Sequence, residues 1–169
     1  MAEEKKIRVG ITQGDTNGIG YEVILKTLAD GLLCELCTPV VYGSSKIATY
    51  HRKALDMPQV QFNCIDTADK ARDGVNNMVE IADSDMKIEL GVPSEAAGLA
   101  AFNSLERAVA DLKDGLIDVL VTAPINKNNI QSDNFHFPGH TEYLEAALGY
   151  GKKSLMILFN NFIKVALVT

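Results

Sequence analysis

No tryptophan, no run of five or more basic residues and no apolar stretch of bilayer length occurs in these 169 residues. The 16 lysines and arginines are scattered, and the net charge is −6 with a pI near 5.0. A nucleic-acid footprint needs a concentrated basic patch, so that class of partner is excluded. The longest apolar runs fall far short of the about 18 residues that cross a bilayer, and no membrane partner is expected. Cysteine is scarce too: Cys34, Cys37 and Cys64 make an odd number, and the opening MAEEKKIRVG has no hydrophobic segment ahead of a small-residue cleavage site. A disulfide framework is therefore not expected, and a cytoplasmic location is.

At 47% hydrophobic and 22% charged, the composition suits a soluble globular chain rich enough in apolar residues to bury a core. Its length suits one domain with the start of another. Cys34-Glu-Leu-Cys37 matches C-x-x-C and reads in two ways: a redox or zinc half-site, or two small residues packed ahead of a strand. Zinc would need a second pair of ligands, and none follows at suitable spacing.

Apolar runs alternate with helical periodicities. Residues 7–12 (IRVGIT) read as a strand, followed by a glycine-rich turn and a helix over about 20–29. Residues 39–42 (PVVY) form a strand ending at Gly43, and Ser44 is placed to cap a helix through Ile47, Tyr50 and Ala54. Residues 60–65 (VQFNCI) read as another strand, and 66–92 as irregular strands or hairpins. Pro93-Ser94-Glu95 opens a long amphipathic helix with Leu99, Phe102, Leu105, Ala108, Val109 and Leu112 at three- and four-residue spacing, and Gly115 ends it. Residues 117–122 (IDVLVT) are nearly all apolar, as a strand buried on both faces of a parallel sheet is. A helix over 140–148 and strands over 155–159 and 163–168 complete the reading. The pattern implies an α/β fold, an α/β/α sandwich around a mostly parallel sheet.

Ligands in such sheets sit beyond the carboxyl ends of the strands, where two loops carry unusual residues. In the first, the glycines fall at 14, 18 and 20, matching neither the G-x-G-x-x-G dinucleotide fingerprint nor the G-x-x-x-x-G-K-[ST] phosphate loop. Asp15 is either a polar site residue or an Asx turn and helix cap. In the second, Asn126 and Lys127 follow a strand directly. His136 and His140 stand four apart, but Pro138 and Gly139 between them forbid one regular helical turn, so paired metal ligation is not expected. His140-Thr141-Glu142 reads instead as a first helical turn, either capping the helix or converging imidazole, hydroxyl and N–H groups on an anion such as phosphate.

Four motifs in order, G-D-x-x-G-I-G-x-E at 14–22, G-x-P-S-x-x-A-G at 91–98, D-x-L-V-T-A-P-I-N-K at 118–127 and P-G-H-T-E-Y-L at 138–144, resemble the 4-hydroxythreonine-4-phosphate dehydrogenase family. The resemblance implies a fold like that of isocitrate and isopropylmalate dehydrogenases. It also implies NAD-dependent oxidation of 4-phosphohydroxy-L-threonine, then decarboxylation, in pyridoxal 5′-phosphate synthesis. A divalent metal (Zn, Mg or Co) assists, and the active site lies between two domains of a homodimer. Carried over by position, the substrate-binding His-Thr pair falls on His140 and Thr141. Asn126 joins them in binding substrate, and Lys127 and Asp15 are the candidate catalytic residues. Thr16 and Tyr21 stand where the family commonly has prolines, so a looser first turn is expected, with no reactive group lost.

The same resemblance divides the chain into a first α/β domain, residues 1–135, and an incomplete start of a second, 136–169. The family's three metal-binding histidines and its later lysine, asparagine and arginine have no counterparts before the sequence stops at Thr169. A truncated protein, matching the N-terminal half and inactive alone, is therefore expected. Two alternatives stand beside this reading: a dehydrogenase for threonate or erythronate 4-phosphate, or a non-catalytic module that binds a phosphorylated metabolite.

Overall fold

The computed structural model describes residues 6–81 and 86–168. Short apolar runs bounded by turn residues become five strands: β1 (Arg8–Thr12), β2 (Thr38–Gly43), β3 (Asn63–Ile65), β4 (Asn77–Glu80) and β5 (Val119–Thr122). They form one sheet in the order β3-β4-β2-β1-β5, with every neighbouring pair parallel. Parallel neighbours need crossovers, which helices supply. α1 (Gly20–Leu28) and the short α2 (Leu32–Leu36) link β1 to β2, α3 (Ser45–Ala54) links β2 to β3, and α4 (Glu95–Lys113) carries the chain from β4 to β5. Ser44 and Ser94 cap α3 and α4 as their sequences predict, accepting from Ile47 N and Ala97 N.

Side-chain alternation along the central strands divides the core into layers. Ile11, Val41 and Met78 face α1 and α3, packing on Tyr21, Ile24, Leu25, Ile47 and Ala48. Val40, Tyr42 and Val79 face the other way, meeting Ala108 of α4 and Ile117. This is the expected α/β/α sandwich. A third cluster ties Phe102, Leu105 and Val109 of α4 to Ile130 and Phe135 in the segment after β5, and α5 (His140–Leu148) leans on it through Tyr143 and Leu144.

Several local expectations fail for identifiable reasons. β5 is the edge of the sheet, and Val119 and Val121 are 42% and 49% exposed, so it is not buried on both faces. Leu99 of α4 is exposed although it shares the apolar periodicity. The strand expected over 60–65 shortens to Asn63–Ile65, and the described residues of the stretch after it form no hairpin. Instead β4 inserts in parallel between β2 and β3. Its buried Asn77 makes that possible by donating to Pro39 O, Arg72 O and Val75 O and accepting from Arg72 N, so a polar residue enters the core fully bonded. Part of that irregular stretch, 82–85, lies outside the described residues.

Beyond α5, β6 (Met156–Phe159) and β7 (Lys164–Leu167) pair antiparallel as a hairpin separate from the main sheet, and every position of both is exposed. The two strands expected over 155–159 and 163–168 are thus present, each slightly shortened. Cys34 and Cys37 are buried, with thiols turned to Asn76 Oδ1 and Leu33 O, and burial pushes both thiols up. They serve as packing residues ahead of β2.

Candidate functional site

β1 lies between β2 and β5, reached by crossovers on opposite faces: α1 packs on one side of the sheet and α4 on the other. The carboxyl ends of β1 and β5 therefore lie at a topological switch point, the place where open α/β sheets bind ligands. The loop after β1 and the loop after β5 meet there. Asp15 N–H donates to Pro124 O at 2.9 Å, and Ala123 N–H to Thr12 Oγ1 at 3.2 Å. A cavity of about 260 Å³ opens between them, lined by Asp15, Asn17, Ile19, Pro93, Ile125 and Asn126 among others.

The glycine spacing of the first loop follows from this packing. Gly14 has φ of +68°, and a Cβ on it would sit 2.3 Å from Pro124 O, so only glycine lets the two loops touch. Around it the polar groups are used internally. Asp15 Oδ1 accepts from Asn17 N at 2.8 Å and Oδ2 from Asn129 Nδ2 at 3.1 Å. Asn17 Nδ2 donates to Val92 O at 2.8 Å and its Oδ1 accepts from Glu89 N at 3.0 Å. Gln13 Nε2 donates to Ala100 O at 3.0 Å.

The two residues in place of prolines are held otherwise, which corrects the expected loosening. Tyr21 is fully buried, its hydroxyl donating to Gln13 Oε1 at 2.6 Å and accepting from Ser44 N at 2.8 Å. Thr16 O lies 2.7 Å from Nε2 of His51, a buried ring stacked on Tyr21 at 5.2 Å. Burial, partly offset by the Thr16 carbonyl, holds His51 below the usual histidine value. Asp15, read from sequence as a catalytic candidate, thus has both oxygens engaged in the geometry of an Asx turn and a loop-to-loop tie.

The second loop differs. Asn126 closes a turn, its Oδ1 accepting from Asn128 N at 2.9 Å and its carbonyl from Ile130 N at 3.2 Å, while its side chain lines the cavity. Lys127 is exposed, and its Cε lies 3.8 Å from where a Cβ on Gly139 would stand, which puts the ammonium group at the start of α5. His140 opens that helix. Its Nε2 is buried and has no hydrogen-bond partner among the described residues. Burial first and the Lys127 charge second hold His140 below the usual histidine value, which favours the neutral ring. No side chain caps α5, and Thr141 follows half-buried in its first turn. His136 is exposed, with Pro138 and Gly139 between it and the helix.

The structure therefore brings Lys127, His140 and Thr141 to one helix start and places Asn126 and Asp15 along the neighbouring cavity. A cation, an imidazole and the first-turn N–H groups, with the Glu142 carboxylate at the same helix start, can receive an anion paired to Lys127 and the N–H groups. Three residues were missed by sequence reasoning. Asn129 Oδ1 and Ser132 Oγ are buried without a partner among the described residues, and Gln131 Nε2 ties Lys127 O at 3.2 Å to Phe137 O at 2.9 Å. The only sequence signal was the polar run Asn126-Lys127-Asn128-Asn129, which reads equally as turn formers.

The donor sets do not fit the metal or the dinucleotide. Among the described residues no group of three or more His, Cys, Asp or Glu side chains is arranged to hold a metal ion. Asp15 is the sole charged side chain among the described residues of the 260 Å³ cavity, so no cation there meets a pyrophosphate. No helix of the described residues is long and apolar enough to cross a membrane.

Residues 35–169 match the family model described as pyridoxal phosphate biosynthetic protein PdxA. The 4-hydroxythreonine-4-phosphate dehydrogenase of Bacteroides thetaiotaomicron is 58% identical over 167 residues, 99% of this chain and 46% of that protein. The D-threonate 4-phosphate dehydrogenase of Cupriavidus necator is 35% identical over 89% of this chain and 45% of its own length. A crystal structure of a 4-hydroxythreonine-4-phosphate dehydrogenase from Burkholderia phymatum superposes with a TM-score of 0.84 at 30% identity, covering 96% of this chain and 49% of that one. The chain thus spans about half the length of the curated relatives it matches. With the family model covering most of the sequence and the fold shared, this chain belongs to the PdxA family of pyridoxal phosphate biosynthetic proteins.

Proposed function

We propose that this chain forms one wall of the active site of an NAD-dependent, metal-requiring dehydrogenase. That enzyme oxidises 4-phosphohydroxy-L-threonine and releases carbon dioxide on the route to pyridoxal 5′-phosphate. The observation that carries the reading is the buried, unpartnered Nε2 of His140 at the uncapped start of α5, beside Lys127. A buried polar nitrogen without a partner is costly unless a ligand completes it.

In this reading the Lys127 ammonium and the first-turn N–H groups of α5 receive the substrate's phosphate, with the Thr141 hydroxyl beside them. His140, with its neutral form favoured, offers its ring nitrogen to a substrate oxygen, and Asn126 lines the approach. Asp15 acts by position, holding the two loops together. No step through the nicotinamide or the divalent metal is assigned to this chain, because its described donor sets fit neither. By itself the 169-residue chain neither binds the catalytic metal nor turns over substrate. Residues 136–169 begin the second domain, and the full-length protein works as a cytoplasmic homodimer. The exposed apolar Val119, Val121 and β6–β7 hairpin support further packing against protein surface.

The higher identity to the 4-hydroxythreonine-4-phosphate dehydrogenase than to the D-threonate 4-phosphate dehydrogenase favours the first substrate. A chimera in which residues 1–168 replace the matching part of the Bacteroides thetaiotaomicron enzyme tests this. NAD reduction with higher kcat/KM on 4-phosphohydroxy-L-threonine than on D-threonate 4-phosphate is expected, and the reverse order contradicts the reading. Turnover by the 169-residue chain alone with Zn²⁺ or Mg²⁺ contradicts the claim that it is half a site.

A further inference from the structure

We infer that Asn129 is a positioning residue: its amide, gripped by Asp15 across the two loops, fixes the turn that presents Lys127 to the start of α5. The inference rests on the reading that Lys127 and His140 face the phosphorylated ligand, and it adds how the first loop, through the Asp15 carboxylate, acts on that site.

The Asn129 amide donates to Asp15 Oδ2 at 3.1 Å over a separation of 114 residues. An ionised carboxylate only accepts, so the contact also sets which end of the amide faces Asp15 and leaves Oδ1 as the unpartnered atom. The backbone at Asn129 is pressed onto α4, where a Cβ on Gly98 would lie 1.8 Å from Asn129 O and 2.4 Å from its carbonyl carbon. Two sides of the turn are thus fixed, one by Asp15 and one by a bare position on a helix. Within it, Asn126 bonds to the N–H groups of Asn128 and Ile130 and closes the loop around Lys127. The Lys127 carbonyl then accepts from Gln131 Nε2, which also holds Phe137 O, two residues before Gly139 at the start of α5. Each link joins residues whose own positions are set by the previous one, and none involves the long, flexible stem of Lys127 itself.

His140 reports on the arrangement, because the Lys127 charge helps to hold its imidazole below the usual histidine range. The experiment follows the His140 ring signals by NMR against pH in the 169-residue chain, with thermal melts to show that each variant folds. Lys127→Met raises the His140 midpoint. Asn129→Ala is expected to raise it too, and Asn129→Ala with Lys127→Met no further than Lys127→Met alone. Asn129→Asp sets two carboxylates face to face and is expected to act like Asn129→Ala. Adding Asp15→Asn reverses the donor and acceptor and is expected to restore the wild-type midpoint. A loss of packing alone is not repaired by that reversal. A wild-type midpoint in folded Asn129→Ala, or no restoration by the reversed pair, overturns the inference. Failure of inorganic phosphate to bind the wild-type chain instead overturns the functional reading and leaves the Asn129 effect on His140 standing, so the two failures are told apart.

Discussion

The two loops at the carboxyl edge of the sheet are built from similar residues and do opposite things with them. In the first, Gln13, Asp15, Thr16 and Asn17 are buried and bonded to the chain itself. In the second, three buried polar atoms, Asn129 Oδ1, Ser132 Oγ and His140 Nε2, have no partner among the described residues, and Lys127 stands exposed beside them. A polar group that the fold satisfies stabilises the fold, while one it leaves open is available to a ligand. Changes in the first loop should therefore be read in stability, and changes in the second in binding.

The largest effect is expected at Gly14. Gly14→Ala forces a side chain into positive φ and against Pro124 O, and should lower unfolding free energy by about 3 kcal/mol in urea titrations. A loss below about 1 kcal/mol would break the comparison at its structural end. Tyr21→Phe comes next. It strands Gln13 Oε1 and Ser44 N in the core and should cost about 2 kcal/mol, again with phosphate affinity unchanged.

Lys127→Met sharpens the other side. Its stability should stay within about 0.5 kcal/mol of wild type, as for an exposed side chain. Phosphate affinity by calorimetry should fall about tenfold, the loss of one charge-assisted contact. Smallest is the pH dependence, set by His51 of α3, which bonds Thr16 O of the first loop, and by His140 of α5. His51 and His140 are held below the usual histidine value of 6.5, so the unfolded chain binds protons there that the folded chain does not. Their contribution to stability is complete above about pH 6.5 and is lost as pH falls from there towards the lowered folded values. His51→Gln should flatten the part of that acid slope that comes from His51.

Much of the sheet was legible because its strands are short apolar runs bounded by glycine or proline, as at 39–42, and because Ser44 and Ser94 announce their helices. β5 was misread because an apolar run signals burial without saying that the strand lies at an edge, where Val119 and Val121 have neighbours on one side only. β4 falls in the stretch read as irregular strands or hairpins, but its parallel place inside the sheet was not legible, since Asn77 is polar and one of its main-chain partners, Pro39 O, lies 38 residues away. The site divided in the same way. Lys127, His140 and Thr141 were singled out because loop position and motif agree, and the structure sets them at one helix start. Asn129 was not, since its meaning lies in a partner 114 residues away. Asp15 was singled out for its residue type, and the structure shows its two oxygens accepting from Asn17 N and Asn129 Nδ2 across the loops.

Titration of inorganic phosphate into the isotope-labelled 169-residue chain at pH 7, read residue by residue through amide and histidine-ring NMR shifts, tests the division most directly. Saturable shifts should centre on Gly139, His140, Thr141 and Lys127, with the Gly14–Gly20 amides still. Shifts that centre on the first loop, or none at the start of α5, would contradict the account.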